Sequence, residues 1–217
     1  VSDGNIIALG FLSYDNEKGR VSFFKWNGES FAKTFDDING ENKWARLGES
    51  LSISGDDETI IIRTPNYEGG GENRGKASGY KWDGSSWSSL FHEVGEDDEA
   101  HFGQSVSISA DGNTFAIGAP GHDDSKGKVL IFKLDGLSQN IEGENIGDRL
   151  GDSVFLSADN NTVAIGSPGY DNNRGKVLII KSDEVFYDVL GVNEASLYIS
   201  EDGNRVVIGD HGNGWRS

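Results

Sequence analysis

Residues 103–120 read GQSVSISADGNTFAIGAP and residues 151–168 read GDSVFLSADNNTVAIGSP, so one pattern of small, apolar and turn-forming residues occurs twice. A third copy, GESLSISGDDETIIIRTP, occupies residues 48–65, and partial copies lie at residues 2–10 and 196–209. Copies at intervals of about 50 residues are typical of a repeat protein. The order of elements within one copy should therefore give the fold of the whole chain.

Each copy predicts four short strands, which we label A to D in chain order. Strand A, such as SVSIS at residues 105–109, ends at an Asp-Gly-Asn or Asp-Asn-Asn turn, a combination that tight β-hairpins favour. The three prolines of the chain, Pro65, Pro120 and Pro168, all end strand B, because a missing N–H group there interrupts no pairing. Strand D is predicted to be a weak, aromatic outer strand. Strand C begins with a basic residue in each copy: Arg20, Lys76, Lys128 and Lys176.

Strands B and C are almost continuously apolar, which indicates that both faces of each sheet are covered. A four-stranded antiparallel unit that packs against a like unit on either side is a propeller blade. We therefore predict an all-β fold, a β-propeller built from four-stranded antiparallel blades, in one domain or a fragment of one. A flat β-solenoid is the alternative, although its repeats are usually shorter. The predicted blades span residues 46–92, 101–140 and 149–190, with partial blades at residues 1–37 and 195–210.

Glycine in strand B, at Gly10, Gly118 and Gly166, would let neighbouring backbones approach closely near a central axis. Both ends of the chain carry a strand B, whereas closed propellers often share one blade between their termini. The sequence therefore predicts part of a larger chain or assembly.

The end of strand B also carries a family resemblance. The IGAP of residues 117–120 and the IGSP of residues 165–168 resemble the Gly-Ala-Pro half of FG-GAP repeats, and Phe102-Gly103 and Leu150-Gly151 resemble the Phe-Gly half. Such repeats form the β-propeller of integrin α-subunits and of many secreted or surface proteins. The resemblance implies an extracellular or cell-surface location, with other protein subunits or glycans as partners.

Calcium-binding FG-GAP blades usually carry an Asp-x-Asp-x-Asp-Gly loop between strands A and B. In this chain that connection is a tight turn, such as residues 110–113, which offers fewer oxygens than the six to eight ligands that Ca²⁺ prefers. The usual calcium site of the family is therefore not predicted at this turn.

Composition excludes several classes of function. The formal net charge of −17 repels phosphate backbones, so nucleic-acid binding is not expected, whereas cations or basic partners would be attracted. The absence of cysteine excludes disulfides and thiolate metal sites. No apolar run approaches the ~20 residues that a membrane-spanning helix needs.

The loop between strands B and C repeats a polar phrase that could hold a cation. Its carboxylate and amide oxygens suit a hard cation, and Ca²⁺ is the predicted one. Alternatively, the Asp or Asn forms an Asx-turn, the following Gly takes a positive φ, and the basic residue faces the carboxylate. The candidate metal ligands are Asp15, Asn16, Asp123, Asp124, Asp171 and Asn172.

Catalytic motifs are missing from the sequence. The four histidines, His92, His101, His122 and His211, lack the spacing of metal ligands, and no serine lies in a Gly-x-Ser-x-Gly context. We therefore expect a non-enzymatic module for recognition or structural assembly. A glycan-active enzyme with its site in the central channel and an intracellular interaction scaffold are the alternatives. Asn160-Asn161-Thr162 is an N-glycosylation sequon in a predicted A–B turn.

Overall fold

Strand pairing in the computed structural model follows the repeats. The structure describes residues 6–67, 73–136, 138–181, 184–191, 196–200 and 203–209. Residues 1–5 of the first copy, residues 68–72 of the second B–C loop, parts of the last copy and His211 lie outside the described residues. None of the helices among the described residues is long and apolar enough to cross a membrane.

Five antiparallel sheets succeed one another along the chain, and we number them 1 to 5. Sheet 1 contains β1 (Ile6–Phe11), β2 (Arg20–Trp26), β3 (Phe31–Lys33) and β4 (Ile38–Asn39). Sheet 2 contains β5 (Leu51–Ile53), β6 (Thr59–Thr64), β7 (Lys76–Trp82) and β8 (Trp87–Val94). Sheet 3 contains β9 (Val106–Ile108), β10 (Thr114–Ala119), β11 (Lys128–Lys133) and β12 (Ser138–Glu142). Sheet 4 contains β13 (Ser153–Leu156), β14 (Thr162–Ser167), β15 (Lys176–Lys181) and β16 (Glu184–Leu190), and sheet 5 contains β17 (Ser196–Ile199) and β18 (Val206–Gly209).

Sheets 2, 3 and 4 each pair their four strands in chain order, which is the order of a propeller blade. Sheet 1 begins at a strand B, and its strands β3 and β4 both pair with β2 as two halves of strand D. Sheet 5 consists of strands A and B. The predicted all-β propeller of four-stranded antiparallel blades is therefore confirmed.

Strand D runs further than its weak sequence pattern indicates. Val94 pairs with Lys76 and Glu142 pairs with Lys128, although the predicted blades end at residues 92 and 140. Each of these strands follows its strand C to the first basic residue. Pairing with strand C therefore determines where strand D ends, and the side chains of strand D do not.

The core consists of apolar layers between neighbouring sheets. Along β6, Ile60 and Ile62 pack towards sheet 1 while Ile61 packs towards sheet 3, and all three are fully buried. Phe115 and Ile117 of β10 complete the layer between sheets 2 and 3 and are also fully buried. Successive residues of a strand point to opposite faces, so an apolar strand B serves two layers at once.

The A–B turns join neighbouring sheets at one end of the fold. Ser109 Oγ donates to Asp111 Oδ1 at 2.5 Å, and the same oxygen of Asp111 accepts the Asn113 N–H at 3.0 Å. The turns also bond to one another, because the Ala110 N–H donates to Ala158 O at 3.3 Å. Asp111 therefore fixes the hairpin, and a backbone hydrogen bond joins it to the next A–B turn.

Candidate functional site

The predicted metal ligands lie in short helical turns between strands B and C. These turns are α1 (Tyr14–Glu17), α2 (His122–Ser125) and α3 (Tyr170–Asn173). Each contains consecutive residues in the left-handed region, such as Asp123 at φ 48° and Asp124 at φ 55°. Asp and Asn adopt this conformation more readily than most residues. The left-handed backbone of the turn therefore accounts for the Asp and Asn residues of the repeated B–C loop motif.

The first Asp of each turn pairs with the basic residue three positions later. These pairs are Asp15–Lys18 at 2.7 Å, Asp123–Lys126 at 2.5 Å and Asp171–Arg174 at 3.0 Å. A hydrogen bond from Lys126 holds the pKa of Asp123 below its ordinary value. The following glycines have positive φ, for example 84° at Gly127. The structural interpretation of the phrase is confirmed for the ion pair and the glycine, whereas a left-handed turn replaces the expected Asx-turn.

Connectors between sheets hold these turns in place. The Gly143 N–H donates to Gly127 O at 2.9 Å, the Arg149 N–H to Ser125 O at 2.8 Å, and the Leu150 N–H to Lys126 O at 3.0 Å. Sheet 1 has the same arrangement, in which the Arg46 N–H donates to Glu17 O at 2.8 Å. The B–C turns thus belong to the framework of each blade.

The calcium hypothesis stays a prediction. Within the described ranges, no three His, Asp or Glu side chains form a group that could hold a metal ion. If the B–C turns bind Ca²⁺, millimolar EDTA should lower the melting temperature, since a ligand at about 100 times its Kd stabilises a protein by about 2.7 kcal/mol. A thermal melt in EDTA, in CaCl₂ and in MgCl₂ measures this. An unchanged melting temperature in all three would reject the hypothesis.

Two grooves lie between neighbouring sheets at the end that carries the B–C turns. Groove 2–3, between sheets 2 and 3, has a volume of about 370 Å³. Groove 1–2 is lined by residues at equivalent repeat positions and has a volume of about 20 Å³. Groove 2–3 is lined by polar and apolar side chains, among them Glu96, Phe102, His122, Lys128, Leu130 and Phe132.

A histidine distinguishes groove 2–3 from its equivalents. In the other turns a tyrosine ring lies over the basic residue that begins strand C, at 3.5 Å for Tyr14–Arg20, 4.5 Å for Tyr67–Lys76 and 4.9 Å for Tyr170–Lys176. His122 occupies this repeat position in sheet 3, and its Nδ1 lies 2.6 Å from Asp97 Oδ2. Lys128 therefore has no tyrosine ring over it, and it lines groove 2–3 together with His122.

The charges of groove 2–3 lie above an apolar floor. Lys128 Nζ lies 3.1 Å from both carboxylate oxygens of Glu96, and the Lys128 side chain is only 11% exposed. The floor is formed by Phe102 and Phe132, together with Leu130. This combination suits a ligand that has an apolar body and polar substituents at its edge.

The equivalent lysine of sheet 4 has a closed environment. Burial alone would lower the pKa of Lys176, but hydrogen bonds to Glu144 and Asp188 raise it above its ordinary value. Lys176 Nζ lies 2.9 Å from Glu144 and 3.3 Å from Asp188, beneath the ring of Tyr170. Lys128 and Lys176 are equally buried, at 11% and 10% exposure, so they differ in the ring that covers them and in the second carboxylate that Lys176 contacts.

The sequence did not identify groove 2–3. The sequence pattern predicts only that Lys128 begins strand C, and Glu96 lies between two predicted blades. Grooves between sheets join residues that are distant in the chain, so local pattern does not bring the two together. One signal was present in the aligned loops: His122 stands where the other three copies have tyrosine.

Asn160, the predicted glycosylation site, lies in the turn between β13 and β14. Its Nδ2 donates to Asp111 Oδ2 at 3.2 Å, so the side chain is half-buried against the neighbouring A–B turn. Glycosylation at this position stays a prediction.

Comparison with known proteins identifies one repeat. Residues 95–132 match the family model described as FG-GAP repeat. This segment contains β9, β10, α2 and β11, and therefore the sheet 3 side of groove 2–3. No curated protein matches the chain.

Proposed function

With an FG-GAP repeat at the centre of the array, we propose that the chain is a non-enzymatic recognition module of an extracellular or cell-surface protein. Its ligand would be a protein segment or a glycan bound in groove 2–3. The FG-GAP match supports the location, because such repeats are typical of extracellular proteins.

The difference between the grooves carries this proposal. A feature that every repeat contains is explained by the needs of the repeat, as with the paired Asp residues of the B–C turns. Groove 2–3 departs from this rule, since its volume is about 370 Å³ against about 20 Å³ for groove 1–2. A groove that is open between one pair of sheets and almost closed between another is a candidate for specific binding.

The lining of groove 2–3 restricts the ligand to two related kinds. A sugar ring or a short peptide could place an apolar surface on Phe102 and Phe132. Hydroxyl or amide groups of the same ligand could bond to Glu96, His122 and Lys128 at the rim. A polyphosphate is disfavoured by the net charge of −17.

Screening on a glycan array and on a displayed peptide library tests the proposal. The matched variant is His122→Tyr, which restores the tyrosine of the other copies and should cover Lys128. We expect ligands selected by the wild-type chain to bind at least about tenfold more weakly to this variant, a loss of about 1.4 kcal/mol. The control is Leu190→Tyr, a 62% exposed position in β16 of sheet 4 that does not line groove 2–3. Selected ligands that bind His122→Tyr and wild type equally would contradict the proposal.

A further inference from the structure

Sheet 3 departs from the repeat at two positions whose side chains meet. The connectors before sheets 2, 3 and 4 each contain a Gly-Glu pair followed by one polar residue, which is Asn42, Asp97 and Asn145 respectively. His122 is the second departure, because it replaces the tyrosine of the other B–C turns. His122 Nδ1 lies 2.6 Å from Asp97 Oδ2. Asp97 and His122 thus form a pair that belongs to sheet 3, and the needs of the repeat do not explain it.

The contact between Asp97 and His122 determines which nitrogen of the ring carries hydrogen. A carboxylate oxygen accepts hydrogen bonds, so the Nδ1–H group of His122 donates to Asp97. The same oxygen, Asp97 Oδ2, accepts the Asp123 N–H at 3.3 Å, which holds the carboxylate against the turn. A neutral imidazole has one N–H group and one acceptor nitrogen. Nε2 of His122 is therefore the acceptor in the neutral ring.

Nε2 is also the ring nitrogen that a ligand can use. The His122 side chain lines groove 2–3, whereas Asp97 does not line it. Within the part of the chain that the structure describes, no residue forms a hydrogen bond or an ion pair with Nε2. Since Asp97 occupies Nδ1, Nε2 is the polar atom that this ring contributes to the groove.

A fixed acceptor distinguishes His122 from the other polar groups of the groove. Lys128 contributes only hydrogen-bond donors, and its Nζ is already bound to both carboxylate oxygens of Glu96. The tyrosine of the other copies ends in a hydroxyl group, which both donates and accepts. His122 in the tautomer that Asp97 imposes can only accept at Nε2. Its hydrogen-bonding role therefore does not adapt to the ligand.

We propose that Asp97 is a positioning residue of groove 2–3, which fixes Nε2 of His122 as an acceptor, so that the groove selects a ligand whose apolar body carries an N–H or O–H donor. Asp97 acts through His122 and does not itself touch the ligand. A ligand of the same shape without a donor would leave Nε2 unpaired when it covers the ring, and an unpaired polar atom costs free energy. This inference rests on the recognition role proposed for groove 2–3.

Imidazole nitrogen NMR of the ¹⁵N-labelled chain tests the tautomer without any ligand. Spectra are recorded at alkaline pH, where imidazole groups are neutral, and the signals that disappear in His122→Tyr belong to His122. In the wild type, Nδ1 should be protonated and Nε2 unprotonated. Asp97→Asn restores the asparagine of the other connectors, and its amide can either donate to Nδ1 or accept from it, so both tautomers should be populated.

Asp98→Asn is the matched control for Asp97→Asn. It removes the same charge one residue away, where the carboxylate pairs with Arg74, and should keep the wild-type tautomer. A protonated Nε2 in the wild type would overturn the inference. So would an unchanged tautomer in Asp97→Asn, because Asp97 would then not position the ring.

Indole and 1-methylindole test the selection of a donor, because they share an apolar body and only indole has an N–H group. In NMR titrations, indole should bind the wild type about fivefold more tightly than 1-methylindole, the gain of one hydrogen bond. This preference should fall below about twofold in Asp97→Asn, where Nε2 is no longer fixed as an acceptor. Equal binding of the two probes to the wild type would overturn the inference.

Failure of the inference and failure of the recognition role give different results. A wrong tautomer, or equal binding of the two probes, overturns the role of Asp97 and leaves groove 2–3 as a binding site. If neither probe binds although the tautomer is the expected one, groove 2–3 does not receive an apolar body. That result overturns the recognition role and, with it, the selection of a donor.

Discussion

Replacing Phe115 with alanine is expected to lower the free energy of unfolding by about 4 kcal/mol. Phe115 has no exposed surface and lies in the apolar layer between sheets 2 and 3. Its ring is 4.9 Å from that of Phe91 and 5.0 Å from that of Phe132, measured between centroids. The substitution would therefore leave a cavity between two sheets that few side chains could fill. Chemical denaturation followed by tryptophan fluorescence measures the loss.

Leu134→Ala provides the comparison for Phe115→Ala. Leu134 is 43% exposed, so its truncation removes little buried surface and should change stability by less than about 0.5 kcal/mol. Equal losses for the two variants would show that the layer between sheets 2 and 3 contributes little to stability. In a repeat array each unit depends on its neighbours, so the Phe115→Ala transition should also become broader.

Much of the fold could be predicted because the turns and strands of each blade are determined by local sequence. The Asp-Gly-Asn turn of residues 111–113 and Pro120 bound strand B from both sides. The glycines of strand B were expected to permit close backbones, and a Cβ on Gly118 would lie only 2.0 Å from Gly151 O. The end of strand D was missed because pairing with strand C determines it.

Arg63 shows where local pattern fails. It stands where strand B of sheets 1, 3 and 4 has glycine, yet its side chain is only 6% exposed. Arg63 Nη1 lies 3.0 Å from Glu49 Oε2, and burial lowers the pKa of the guanidinium. Glu49 lies before strand A and outside strand B, so no property of strand B alone predicts how the charge of Arg63 is neutralised.

The candidate site was less predictable than the fold. The repeated Asp and Asn residues predict a metal site that stays a prediction, and the structure shows in addition that they form left-handed turns and ion pairs. Groove 2–3 depends on a departure from the repeat at His122, and its consequence is visible only when sheets 2 and 3 are placed side by side. Repetition in sequence thus marks the framework of this protein, and the departure at His122 is where we propose binding.

Gly143→Val is expected to destabilise the chain by about 3 kcal/mol, the upper part of the range for steric overpacking. A Cβ at Gly143 would lie 1.9 Å from Lys126 O, far inside van der Waals contact. The carbonyl cannot retreat freely, because it accepts the Leu150 N–H at 3.0 Å and so fixes the connector to sheet 4. The substitution should therefore weaken both the B–C turn and the junction of sheets 3 and 4.

Glu142→Val separates this steric effect from the properties of valine itself. Glu142 is the preceding residue, lies in β12 and is exposed, so the same side chain meets no backbone there. Its substitution should change the free energy of unfolding by less than about 0.5 kcal/mol. Hydrogen exchange should show faster exchange at the Arg149 and Leu150 amides in Gly143→Val alone, because these N–H groups of the connector donate to the carbonyls of Ser125 and Lys126 in the turn. If Gly143→Val is as stable as Glu142→Val, the close approach to Lys126 is not what fixes glycine at this position.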